Sequence, residues 1–150
     1  MNIIIDKSNF NGTLVHLVFN NQDTMNKKIG KISERRESNK KVIYKGHNFP
    51  GCFLDFDVGV YEENFYVIAY IENDQHTKQH ELYHAKYYFD TKYRNKVNKL
   101  WNSLSCKKRN EITAILNNMG YREEFHLDEF QAYLYSEPLR KNKNFWNIDS

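Results

Sequence analysis

The chain reads as an α+β protein, with a mostly antiparallel sheet in its N-terminal half and a helical C-terminal half. Two observations predict this. Up to Ile71 the apolar residues fall in short runs rich in β-branched and aromatic side chains, each bounded by Asn, Gly or Asp. After Asp74 the sequence turns to longer stretches set between helix caps and a glycine stop. Strands first and helices second is the order of an α+β fold.

Five runs read as four or five strands of one sheet: Asn2–Ile5, Thr13–Asn20, Lys41–Lys45, Cys52–Val60 and Asn64–Ile71. The polar segment Asn21–Lys40, with Gly30 in its middle, reads as a short helix or a mobile loop. Gly46–Gly51 is rich in turn residues and reads as a loop able to rim a cleft. Asp74 then caps a long helix through His80, His84 and Phe89. A further helix covers Tyr93–Leu104, either continuous with the first or broken near Asp90-Thr91. Ser105 caps Lys107–Met119, which Gly120 stops. Tyr121–Phe125 is a connection. A last helix starts at Leu127 or Asp128 and runs to about Ser136, with Pro138 ending it. The remainder is polar apart from Phe145 and Trp146.

At 150 residues the chain is expected to form a single domain over residues 1–150, long enough to fold without disulfides. Its 40% hydrophobic and 15% aromatic content argues against disorder. The 19 Asn and 16 Lys read as the mark of AT-rich coding sequence, as in some microbes and large viruses, and not as function. A net charge of +3, spread along the chain, argues against a nucleic-acid partner. Cys52 and Cys106 are too few for a disulfide scaffold and fit a reducing compartment. The run MNIII is too short for a signal peptide, and no stretch approaches the ~18 apolar residues of a membrane span. The expectation is therefore a cytoplasmic or otherwise intracellular protein, or one carried in a virion. Oligomeric state is not readable.

Residues 80–84 read His80-Glu81-Leu82-Tyr83-His84, the H-E-x-x-H pattern. On a helix, residues four apart share one face, so both imidazoles can reach one Zn²⁺ at about 2.0–2.1 Å. Glu81 is turned away from the ligand positions but near enough to take a proton from a metal-bound water. With 6 His and 11 Glu in 150 residues, the pattern is expected by chance about 0.02 times per chain. A catalytic zinc takes three protein ligands and keeps one open position. The third must come from elsewhere. The downstream block Asp128-Glu129-Phe130-Gln131-Ala132-Tyr133-Leu134 offers a carboxylate on a helix, with a small residue three positions on. His126, His76, Asp128, Glu123 and Glu124 are rivals for that role.

The two blocks together resemble the zincin metallopeptidases of the gluzincin type, in which a second helix supplies a glutamate in an E-x-x-A-like pattern. The likeness covers about twelve residues. It implies zinc held by His80, His84 and Glu129, Ala132 at the contact between the two helices, and Asp128 or Gln131 orienting the ligands. It implies a peptide or protein substrate, with Glu81 as general base. The metzincin extension is absent, since Tyr87 and Asp90 stand at its glycine and histidine positions. Zinc peptidases commonly hold an extended substrate along an upstream edge strand, and Asn64–Ile71 is the strand expected to do so here. Oxyanion donors are sought among Tyr121, His126, Tyr133 and Tyr135, with His126 and Tyr133 preferred.

Asp55 and Asp57 read as the polar face of a strand, and Trp101 and Trp146 as packing residues. Two other readings stand beside the peptidase: a non-catalytic zincin-like zinc-binding or interaction protein, and a basic nucleic-acid-binding protein. A carboxylate between the two histidines is superfluous in a purely structural zinc site, which weighs against the first.

Overall fold

The computed structural model describes residues 1–37 and 44–136. Strands β1 (Asn2–Asp6) and β2 (Thr13–Phe19) form an antiparallel pair. The polar segment that follows is a helix, α1 (Gln22–Glu37), which carries the chain across one face of the sheet. Parallel pairing needs such a crossover. Accordingly β4 (Phe65–Ile71) lies parallel to β2, while the short β3 (His47–Pro50) adds antiparallel to β4. The order β1-β2-β4-β3 makes a mixed sheet in which two of three pairings are antiparallel. β4 is thus a central strand, and β1 and β3 are the edges. This corrects the expectation that residues 64–71 form the edge.

Two further strand assignments change. Of Lys41–Lys45, residues 41–43 lie outside the described residues, and Tyr44 and Lys45 are irregular. Cys52–Val60 is not a strand: Gly51–Phe53 form one 3-10 turn and the rest is irregular. The alternation there is nonetheless physical. Leu54, Phe56 and Val58 pack on the core while Asp55 and Asp57 face solvent. Alternation reports which side of a segment is buried, not whether a neighbour's backbone is there to pair with it. Conversely, the supposed loop Gly46–Gly51 contains β3.

Alternate residues of β2 and β4 face opposite sides, as strand geometry requires. Val15, Leu17, Phe19, Val67 and Ala69 meet Met25 and Ile29 of α1. Leu14, Tyr66, Ile68 and Tyr70 meet Ala85 and Leu82 of α2 (Gln75–Phe89) on the other side. Helices α3 (Thr91–Ser103), α4 (Cys106–Met119) and α5 (His126–Ser136) build a second core around Val97, Ile112, Leu116 and Phe130, which Trp101 closes edge-on at 5.1 Å from Phe130. Asp74, Asp90 and Ser105 cap α2, α3 and α4 by accepting from the backbone N–H of Thr77, Tyr93 and Lys108. Both cysteines are free and exposed. No helix among the described residues is long and apolar enough to cross a membrane. Trp146 and the Pro138 stop fall outside the described residues.

Gly120 ends α4 at φ 98°, the left-handed conformation that a Cβ disfavours. Gly120→Ala should cost about 1 kcal/mol in urea denaturation, and Gly120→Asn less, because Asn tolerates this region. Equal stability of all three proteins would overturn the assignment.

Candidate metal centre

Helix α2 lies across one face of the sheet, and α5 packs against it from the helical side. Their facing sides bring three side chains together: His80 and His84 from α2, and Glu129 from α5. The His84 Nε2 is 3.3 Å from the His80 Nε2 and 3.3 Å from Glu129 Oε1, and the His80 Nε2 is 3.6 Å from Glu129 Oε2. Ligands held tetrahedrally at about 2.0–2.1 Å from one zinc stand about 3.3–3.4 Å apart. The spacing of the two Nε2 atoms matches one edge of that tetrahedron, and the two rings approach different oxygens of Glu129.

The hydrogen bonds behind the rings decide where their protons sit. His84 Nδ1 lies 2.8 Å from Asp128 Oδ1, an acceptor, so the ring donates there. His80 Nδ1 lies 3.1 Å from Ser136 Oγ, whose own proton is donated to the Ala132 carbonyl at 2.5 Å, so this ring donates as well. With Nδ1 of each ring bonded behind it, Nε2 of both rings faces the Glu129 carboxylate. Glu129 is 2% exposed, and its Oε2 is buried without a hydrogen-bond partner. Two imidazole nitrogens and a carboxylate thus converge at a largely buried point. A proton on His84, or a metal ion in its place, holds that arrangement together.

Asp128 is itself held. Gln131 Nε2 donates to its Oδ1 at 3.0 Å and to the Tyr83 carbonyl of α2 at 3.1 Å, while the Tyr93 hydroxyl donates to Gln131 Oε1. This chain locks the His84 ring, as partners behind a metal ligand do. Ala132 is fully buried in α5.

Glu81, 4% exposed, lies one position round α2 and points toward the sheet, where Asn48 Nδ2 donates to its Oε2 at 3.0 Å. A cleft of about 400 Å³ opens over His80 and Glu81, walled by Tyr44, Gly46, Tyr121 and Tyr133. Tyr133 stacks edge-on against His80, with ring centroids 4.6 Å apart, and its side chain is hydrogen-bonded to that of Tyr121.

Of the other expected residues, His126 is not brought to the centre. It is buried and its Nε2 donates to the Tyr121 carbonyl at 3.1 Å, so it braces the segment that carries Tyr121 and is neither ligand nor cleft residue. His76 lines the cleft but stands outside the trio. Glu123, Glu124 and Tyr135 are exposed. Three participants escaped sequence reasoning. Ser136 follows Glu129 by seven residues, two helical turns, a spacing that could have revealed it. Asn48 was assigned to a loop. Glu37, at the end of α1, gave no signal at all, yet it is buried in the field of Glu129, His84 and Glu81 and paired with Arg36 at 3.6 Å.

Burial works against charge on His84, but Asp128 and Glu129 outweigh it and hold its pKa well above the ordinary value. Burial alone would raise Glu129, yet His84 and His80 bring it down to about 2. Burial pushes Glu81 up, and burial with the neighbouring Glu129 pushes Glu37 well up.

Compared with protein-family models, curated proteins and solved structures, the chain matches none.

These shifts predict how the metal-free protein responds to pH. Glu129, lowered in the fold, contributes stability that is complete above its unfolded pKa near 4.5 and lost as pH falls toward 2. The raised groups work the other way. The contribution of His84 is complete below about 6.5 and lost as pH rises, and raised Glu81 and Glu37 add to that loss. Urea midpoints of chelated protein should therefore peak in the mildly acidic range and fall toward pH 8, and added zinc should abolish the alkaline fall because the cation replaces the proton. A midpoint that climbs from pH 5 to 8 without metal would contradict this.

Proposed function

We propose that the protein is a zinc-dependent metallopeptidase. The observation that carries the reading is the grouping of two Nε2 atoms and the buried Glu129 carboxylate, with ligand atoms within 4.8 Å of one another, and a second carboxylate, Glu81, beside them and facing a cleft. Two imidazoles and one carboxylate form the donor set of a catalytic zinc with one position left for water. Cysteine takes no part, which suits a catalytic more than a structural site.

His80, His84 and Glu129 would hold the ion. When bound, zinc supplies acidity to a coordinated water and polarises the scissile carbonyl. The remaining work falls to side chains. Glu81, its carboxylate desolvated and raised, accepts a proton from the attacking water as the oxygen–carbon bond forms. It then passes that proton to the amine nitrogen as the carbon–nitrogen bond breaks. Tyr133, at the cleft wall beside His80, is placed to donate to the oxygen on which charge develops, and Tyr121 is linked to it. Burial, Glu129 and the bond to Tyr133 hold the Tyr121 hydroxyl in its protonated form. The likeness to gluzincins supports the same assignment of Glu129.

Elemental analysis and hydrolysis of a quenched peptide pool test this together. The parent should carry about one zinc per chain. His84→Ala and Glu129→Ala should lose it, whereas Glu81→Gln should keep it and cleave nothing. Asp128→Ala should weaken zinc about 10–100-fold. A parent that binds no zinc would refute the proposal, and a zinc-loaded parent without hydrolysis would reduce it to a binding site.

A further inference from the structure

We infer that Asn48 and Tyr66 are positioning residues that tie down Oε2 of Glu81, so that Oε1 is the oxygen presented to the cleft for proton transfer. The kinetic part of this inference rests on the peptidase reading; the pinning itself does not.

Asn48 sits on the edge strand β3 opposite Ile68, and Tyr66 lies two residues from Ile68 on β4. Diagonal neighbours on one sheet face are within reach of a long side chain. Both residues face α2, and they are 4% and 1% exposed. The Tyr66 hydroxyl donates to Asn48 Oδ1 at 2.6 Å, and Asn48 Nδ2 donates to Glu81 Oε2 at 3.0 Å. The hydroxyl sets the sense of the amide. Turned over, Asn48 would offer its oxygen to a carboxylate and its NH₂ to a hydroxyl, losing the charge-assisted bond. Burial of Tyr66 keeps that hydroxyl protonated, hence a donor.

The other end of the carboxylate is shaped by an omission. A Cβ on Gly46 would lie 2.8 Å from Glu81 Oε1 and 3.0 Å from the Ala69 carbonyl. Only a glycine backbone can pass so close, and Gly46 and Glu81 both line the cleft. One oxygen is tied to the sheet and the other is bordered by bare backbone at the cleft. A carboxylate so held cannot rotate to offer Oε2 or swing in as a further metal ligand. In hydrolysis, a proton of the attacking water goes to Oε1 as the C–O bond forms. It leaves Oε1 for the amine nitrogen as the C–N bond breaks, so one water is consumed and Glu81 is regenerated.

The test uses the full chain with zinc added, in three parts. In ¹⁵N spectra the Asn48 side-chain NH₂ pair should exchange slowly, shift in Glu81→Gln and broaden in Tyr66→Phe. In kinetics on the quenched peptide pool, Asn48→Leu should keep one zinc and lower kcat about 100-fold with KM nearly unchanged, as expected for a misplaced base. Tyr66→Phe, the milder change, should lower kcat about tenfold. An Asn48 amide signal indifferent to Glu81→Gln overturns the pinning by itself, whether or not the parent cleaves peptide and even where Asn48→Leu fails to fold. Parental kcat in Asn48→Leu overturns its role in the reaction. A zinc-loaded parent that cleaves nothing while the amide still responds refutes the peptidase reading and leaves the pinning standing.

Discussion

The meeting of His80, His84 and Glu129 at one buried point is the constraint on which the rest of the molecule turns. Two imidazoles and a carboxylate held 3.3–3.6 Å apart away from water are costly to desolvate, and a fold keeps them there only if each is held in place. Here each is held from behind. Asp128 takes the proton of His84, Ser136 takes that of His80, and Glu129 is fixed by its place on a buried helix. The negative environment is larger than the trio. Glu37, Glu81 and Asp128 add three carboxylates around it, against which Arg36 is the cation paired with Glu37.

The two halves of the chain divide this work. The helical half supplies His80, His84 and Glu129 and locks them: α2 and α5 meet closely, and Gln131 ties one to the other through the Tyr83 carbonyl. The sheet supplies the surroundings of Glu81. Both faces of β2 and β4 are buried, so α2 rests on a packed layer, and the short edge strand β3, with Gly46 just before it, brings Asn48 against Glu81. The geometry of the trio and that of Glu81 thus come from different layers and meet along a single helix.

Much of this was legible along the chain. The caps Asp74 and Ser105, the stop at Gly120 and the pairing of His80 with His84 on one helical face depend on neighbours within a few residues, and local rules reach that far. Glu129 was legible through its family-like pattern and Asp128 and Gln131 through their place beside it. His126 lies apart from the trio and serves Tyr121, and a histidine near such a block has no local mark that separates a ligand from a buried donor to a backbone carbonyl. The stretch Cys52–Val60 was misread because its alternation is real but no strand lies alongside it.

By itself, then, the sequence determined the α+β order, the caps at Asp74 and Ser105, the stop at Gly120 and the two imidazoles on one helical face, because each follows from periodicity and capping over one or two turns. Tertiary structure alone decided that β3 and not β4 forms the edge, that Asn48 and Tyr66 meet Glu81, that Ser136 orients His80, and that Glu37 is buried beside them. Those contacts join residues 18 to 56 positions apart. Their partners are chosen by which surfaces the sheet and helices bury against each other, and no local rule contains that choice.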